Sequence, residues 1–199
     1  MKSLLDRAWC TFEEMEKGFN KVRKEMERLE LLYDGCKLDK VDCYHERMSL
    51  DGFSSIVGIM GLYDPNDGNI HIPAAWPVAF LGWLEDRNIV DVLRHEFGHA
   101  LADKYPKCFR GEVFKSAFGA SYGSRQVFKG EDWRQEYVSE YASTMTQEDF
   151  AETFMLFIKH KGKLPKKFRG RRAIERKWKA VERIVSLVSR EARQSRGNR

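Results

Sequence analysis

Residues 92–105 read VLRHEFGHALADKY, and the spacing of the two histidines in this stretch constrains the chain more than any other feature. Apolar residues recur here with the period of an α-helix, and Asn88 is suited to cap its N-terminus. Positions four apart lie on one face of a helix, so His95 and His99 are predicted to point the same way. Two imidazoles in this arrangement can hold two corners of a tetrahedral metal site.

The alternative is a helix that carries two solvated histidines. Exposed histidines are disfavoured by the neighbours Leu93, Phe97 and Ala100, which make the helix apolar over much of its circumference. Two buried imidazoles would each leave a ring nitrogen to satisfy, and a zinc ion meets that need. A glycine inside a helix costs about 1 kcal/mol relative to alanine, so Gly98 indicates close packing or a functional need. One zinc ion per chain is predicted.

Glu96 lies about 100° further round the helix than His95, so it cannot easily bind the same ion. It can reach a water on that ion, take its proton and pass the proton to a leaving amine. Two histidines with an adjacent general base are typical of zinc-dependent peptide hydrolysis.

A catalytic zinc ion usually has three protein ligands, so one more is needed. The segment QEDFAETF places Glu148 and Glu152 four apart on a predicted helix over residues 146–160, with Thr146 as its N-cap. One carboxylate is a candidate ligand and the other a candidate partner for a ligand imidazole. The alternative is two exposed acids that favour the N-terminal end of a helix.

The remaining elements follow from periodicity. A heptad-like seam predicts one amphipathic helix over residues 3–34, packed on the domain or pairing with a second chain. The stretches 53–63 and 69–76, separated by the turn DPNDG, predict a β-hairpin. A last amphipathic helix begins near Ile174 and ends near Glu191.

Composition indicates a globular chain of 199 residues, 42% hydrophobic and 33% charged. Neither a membrane-spanning run nor a secretory signal is recognised, which predicts a cytoplasmic protein without membrane contact. Export by a route that uses no cleaved signal is the alternative. Four scattered cysteines fit reduced thiols better than a disulfide framework or a structural zinc site.

Residues 159–199 hold 16 basic and 3 acidic residues, so a net-acidic body carries a basic C-terminal segment. Such a segment can bind nucleic acid or an acidic partner, which leaves a binding module with a structural or accessory zinc site as the alternative function. Charge runs are more often solvated faces, and no nucleic-acid motif accompanies this one.

Two motifs, HEFGHALAD and the later SEYASTMTQEDFAETF, resemble the gluzincin branch of the zincin metallopeptidases, most closely the catalytic domain of anthrax lethal factor and its bacterial relatives. The similarity covers roughly residues 53–160. It implies that His95, His99 and Glu148 bind zinc and that Glu96 is the general base. It also implies that Tyr141, seven residues before the third ligand, assists the reaction. The family's second glutamate on that helix corresponds to Glu152.

We therefore predict an α+β, zincin-like fold with a small twisted sheet on the active-site helix, flanked by long terminal helices. Three parts are expected: an N-terminal helix (1–35), a metallopeptidase core (36–161) and a basic C-terminal helix and tail (162–199). Glu152 and Asp103 are predicted to support the ligands without binding the ion. The predicted function is a zinc-dependent endopeptidase that acts on a protein or peptide.

Overall fold

The computed structural model describes residues 10–46, 61–74, 88–124 and 132–197, and these confirm the predicted α+β class. The helices and strands of this part, in chain order, are α1 (Phe12–Arg28), β1 (Cys43–Glu46), β2 (Leu62–Asp64), β3 (Asn69–Pro73), α2 (Ile89–Lys104), α3 (Lys107–Arg110), α4 (Glu112–Phe118), α5 (Thr146–Lys159) and α6 (Arg172–Gly197). Short 3₁₀ turns cover Lys37–Lys40, Trp133–Gln135, Tyr141–Ser143 and Lys166–Phe168.

Helix α1 is shorter than the heptad pattern predicts. Thr11 and Glu14 form a capping box at its start. The helix ends at Arg28, because the chain turns at Glu30 (φ 56°) and thereby carries Leu31 into the core. One helix over residues 3–34 is therefore wrong at its C-terminal end, and residues 3–9 lie outside the described residues. The buried face of α1 lies against the chain's own core and consists of Met15, Gly18, Val22 and Met26.

The sheet has the order β1-β3-β2. Strands β2 and β3 are antiparallel and pair Leu62 with His71, which confirms the predicted hairpin around the DPNDG turn. The earlier part of the first predicted strand, residues 53–60, and residues 75–76 lie outside the described residues. Strand β1 adds a parallel partner to β3, and within the described strands β2 is an edge.

Helix α2 begins as predicted, with the side chain of Asn88 accepting from the backbone N–H of Val90 and Asp91. The side chain of Asp91 takes no part in that cap. It is buried and pairs with Arg94 at 2.5 Å and with Lys159 of α5 at 2.7 Å, so it joins the two helices.

Gly98 explains how closely α2 and α5 approach. A Cβ atom at this position would lie 3.1 Å from Cα of Ala151 and 3.3 Å from the ring of Phe154. Both contacts are tighter than ordinary packing, so the glycine allows the two helices to pack against each other. The close packing of α2 against α5 thus explains why a helix-destabilising glycine stands at position 98.

Helix α5 begins at Thr146, one residue before the start that a Thr146 N-cap would give. Met145 is the N-cap, and Thr146 is the first helical residue. The hydroxyl of Thr146 donates to the backbone oxygen of Ser124, a partner distant in sequence, so the predicted capping role for Thr146 is wrong.

Helix α6 runs to Gly197 and not to the predicted end near Glu191. Its apolar face is buried against the rest of the chain. None of the helices in the described ranges is both long and apolar enough to cross a membrane. The buried apolar side chains of α6 are Ile174, Trp178, Val181, Ile184, Val185 and Val188.

Candidate metal centre

Three side chains from two helices converge on one point. Nε2 of His95 lies 3.1 Å from Nε2 of His99 and 3.1 Å from Oε2 of Glu148, and the third side of this triangle is 3.5 Å. Ligand atoms about 2.0–2.1 Å from a tetrahedral zinc ion are about 3.3 Å apart. The two imidazoles and the carboxylate therefore match a zinc ion in both chemistry and spacing.

Glu152 lies behind His95 and fixes its orientation. Its Oε1 is 2.9 Å from Nδ1 of His95, and the carboxylate is fully buried. Because an ionised carboxylate only accepts, Nδ1 carries a hydrogen, and Nε2 faces His99 and Glu148. One turn of α5 thus brings one carboxylate to each nitrogen of the same ring, which is the arrangement that the predicted roles of Glu148 and Glu152 require.

These carboxylates make the site favour positive charge. Burial alone would lower the pKa of His95, but the hydrogen bonds to Glu148 and Glu152 outweigh it and raise that pKa to about 10. Burial likewise opposes the ionisation of Glu148, and the hydrogen bonds from His95 and His99 reverse the effect and lower its pKa. The field at Nε2 of His95 therefore stabilises a proton or a cation there.

Tyr122, which no sequence pattern identified, is a hydrogen-bond partner of the His99 ring. Nδ1 of His99 lies 2.8 Å from the hydroxyl of Tyr122, which packs edge-on to Phe109 and Phe150. Burial raises the pKa of Tyr122, so it stays a neutral phenol. Tyr122 lies in an irregular segment between two glycines, where no periodic pattern identifies it.

Glu96 borders the same cavity as these three side chains and is held by the edge strand. Its Oε2 accepts from the backbone N–H of Tyr63 at 2.8 Å, and among the described residues no other hydrogen bond to this carboxylate is formed. The strand comes this close because Gly61 lacks a side chain, since a Cβ there would lie 2.7 Å from Val92. The second carboxylate oxygen thus remains for a water.

A cavity of about 430 Å³ opens onto these groups. The ring of Tyr141 lies in its wall, 5.9 Å from the ring of His95. Burial and the nearby charge of Glu148 raise the pKa of Tyr141, so its hydroxyl stays protonated at neutral pH. The cavity is lined by Gly61, Leu62, Tyr63, Pro65, His95, Glu96, His99, Ala102, Asp103, Tyr122, Tyr141, Gln147 and Glu148.

Asp103 also borders the cavity, one turn beyond His99. Its Oδ2 accepts from the hydroxyl of Tyr63 at 2.7 Å and pairs with Lys104 at 3.1 Å. Among the described residues these are the partners of the Asp103 carboxylate, and neither imidazole is one of them. The structure thus places Asp103 against the edge strand, whereas Glu152 and Tyr122 contact the imidazoles.

Comparison with known families agrees with this chemistry. Residues 84–169 match a family described as "Putative zinc-binding metallo-peptidase". The matched range contains both histidines, both glutamates of α5 and Tyr141, and it covers less than half of the chain. No curated protein and no solved structure matches significantly. The match supports a relationship to metallopeptidases, and the closer likeness to lethal factor remains a prediction.

Proposed function

We propose that this chain is a zinc-dependent endopeptidase of the HExxH gluzincin type with a zincin-like fold. The observation that carries the proposal is the triangle formed by His95, His99 and Glu148, with Glu96 next to it and an open cavity in front. A bound zinc ion would supply a Lewis acid for the scissile carbonyl and lower the pKa of a coordinated water towards about 7.

Glu96 is the general base of the proposed reaction. Tyr63 holds one of its oxygens, so the other can accept a proton from the attacking water. The water oxygen then bonds to the carbonyl carbon of the substrate. Glu96 returns the proton to the amide nitrogen as the C–N bond breaks, so the products are a carboxylic acid and an amine.

Tyr141 is the proposed donor to the developing oxyanion. Its pKa is raised, so its hydroxyl retains the hydrogen needed for this bond at neutral pH. A donor aimed at charge that appears only during the reaction stabilises the transition state more than the bound substrate.

An extended peptide is the proposed substrate. Strand β2 borders the cavity through Leu62 and Tyr63 and is an edge among the described strands. A sheet edge offers backbone groups to which an extended chain can pair. Leu62 is 46 % exposed, so it adds apolar surface beside the reaction centre.

The test is digestion of a mixed peptide library by the zinc-loaded protein, with the products sequenced by mass spectrometry. We expect cleavage at internal bonds that stops when zinc is chelated and resumes when zinc is restored. Products that differ from the starting peptides only by single terminal residues would contradict the endopeptidase assignment, and no hydrolysis of any peptide would contradict the function.

The matched control is Glu96→Gln, which keeps the volume and can still accept from Tyr63. We expect it to bind zinc normally and to lose about 10²–10⁴-fold in kcat, because the general base is removed and the ligands are not. Hydrolysis at the wild-type rate by this variant would contradict the role of Glu96.

A further inference from the structure

The hydroxyl of Ser139 connects two parts of the site. It donates to Oε2 of Glu152 at 2.7 Å and accepts from the backbone N–H of Ala142 at 3.1 Å. The directions are fixed by chemistry, because an ionised carboxylate cannot donate and an amide N–H cannot accept. The single hydrogen of the serine therefore goes to Glu152, and a lone pair receives Ala142.

Each of these bonds leads to a group of the proposed reaction. Ala142 lies in the 3₁₀ turn Tyr141–Ser143, whose first residue borders the cavity beside His95. The other oxygen of Glu152 holds Nδ1 of His95. One serine thus joins the turn that presents Tyr141 to the carboxylate that orients His95.

We propose that Ser139 is a positioning residue that fixes the phenol of Tyr141 relative to the metal-binding face of His95. The proposal rests on the function proposed above. Ser139 itself touches neither substrate nor metal, and it acts through Glu152 on one side and through the turn on the other.

A role as a simple turn cap does not account for the geometry. A cap needs only the oxygen of Ser139 as an acceptor, and its hydrogen could bond to water. Here the hydrogen is given to Glu152, which is fully buried on α5. The turn is therefore tied to the metal centre as well as capped.

The segment that precedes this turn is held by α6 at Glu136 and Tyr137. Nζ of Lys177 donates to the backbone oxygen of Glu136 at 2.8 Å and lies 3.8 Å from the centre of the Tyr137 ring. With this anchor in place, loss of the Ser139 hydroxyl should shift the turn locally without releasing the whole segment. The expected consequence is a misplaced Tyr141 in a folded protein.

The test compares Ser139→Ala with Ser143→Ala and Ser139→Thr. Ser143 is the matched control, because it lies in the same turn and its hydroxyl donates only to the nearby backbone oxygen of Glu140 at 2.6 Å. Threonine keeps the hydroxyl and should restore the wild-type behaviour. Circular dichroism checks the fold, and Ser139→Cys, which keeps the volume but is a weak donor, replaces the alanine variant if that variant unfolds.

Two quantities are measured. The zinc dissociation constant, from competition with a chromophoric chelator, should rise about 10-fold in Ser139→Ala. Loss of a group that orients a metal ligand costs about 10–100-fold in affinity, and the low end is expected because Ser139 acts through such a group, Glu152. At saturating zinc, kcat on a cleavable peptide should fall at least about 10-fold while KM changes little. Ser143→Ala should change neither quantity.

The outcomes separate this proposal from the proposed function. If Ser139→Ala matches Ser143→Ala in zinc affinity and in kcat, the positioning role is overturned. If the wild type hydrolyses no peptide, the proposed function fails, and the zinc affinity alone decides whether Ser139 acts on His95 through Glu152. A loss of kcat in Ser139→Ala that Ser139→Thr does not reverse would also contradict the proposal, because the hydroxyl would then not be the group responsible.

Discussion

Nζ of Lys177 lies 2.7 Å from Oδ2 of Asp149, and neither side chain is more than 5 % exposed. Lys177 belongs to the basic C-terminal segment, and Asp149 directly follows Glu148 on α5. The last helix therefore places a charge inside the protein, next to the helix that carries a proposed metal ligand. This charge belongs to the core and not to a solvated tail.

Replacing Lys177 with methionine should destabilise the protein strongly. The change leaves Asp149 buried without its ion-pair partner, and breaking a buried pair costs about 3–5 kcal/mol. The measurement is the free energy of unfolding in urea. Lys179→Met is the control, because this lysine is exposed on the same helix and should change the value by less than about 0.5 kcal/mol. Equal stability of the two variants would show that the pair contributes nothing.

Helix α2 was predicted closely because its signals agree with one another. Asn88 caps it, its apolar residues keep a helical period, and Gly98 is explained by a neighbouring helix. The convergence of His95 and His99 follows from spacing alone, since positions four apart share a face. Helical spacing made Glu148 and Glu152 the candidate carboxylates, and the resemblance selected Glu148 as the ligand, which the structure brings to the same point.

The missed features depend on contacts between segments far apart in sequence. The apolar pattern of α1 continues past Arg28, but the chain turns because Leu31 and Leu32 are buried elsewhere. Tyr122 and Ser139 lie in irregular segments, and only the fold brings them to His99 and to Glu152. Periodicity carries no information about such partners.

Tyr141→Phe should lower kcat at saturating zinc. The substitution removes only the hydroxyl, and loss of one oxyanion donor costs about 10²–10³-fold in related chemistry, so a drop of at least about 10-fold is expected. KM should change little, because the bond forms in the transition state. Steady-state kinetics on a cleavable peptide provide the measurement.

The control for Tyr141 is Tyr44→Phe, which removes a hydroxyl from a half-exposed tyrosine on β1. This variant should keep the wild-type kcat. If Tyr141→Phe and Tyr44→Phe turn over substrate equally fast, Tyr141 is part of the cavity wall only, and another group must stabilise the oxyanion.

His71 should give the stability a small dependence on pH. Partial burial lowers its pKa, but the carboxylates of Glu46 and Asp67, 2.7 and 2.8 Å from its ring nitrogens, outweigh this and raise it. A raised histidine pKa means that the stabilisation is fully present below about pH 6.5 and is lost as the pH rises through the raised value. The pairs are partly exposed, so about 1 kcal/mol or less is expected.

The measurement is the urea stability of the wild type minus that of His71→Gln across this pH range. The subtraction removes the titration of groups common to both proteins, including those of the candidate metal centre. The difference should shrink as the pH rises. A difference that stays constant or grows would contradict the ion pairing of His71.

Zinc content tests the central claim most directly, because every proposed role depends on the three ligand atoms. Protein dialysed against zinc and then against buffer should retain about one zinc ion per chain by mass spectrometry. His95→Ala, His99→Ala and Glu148→Ala should each lose it, while Glu140→Ala, which removes an exposed glutamate, should retain it. A wild type that binds no zinc at neutral pH, or three ligand variants that bind it as tightly as the wild type, would contradict the account.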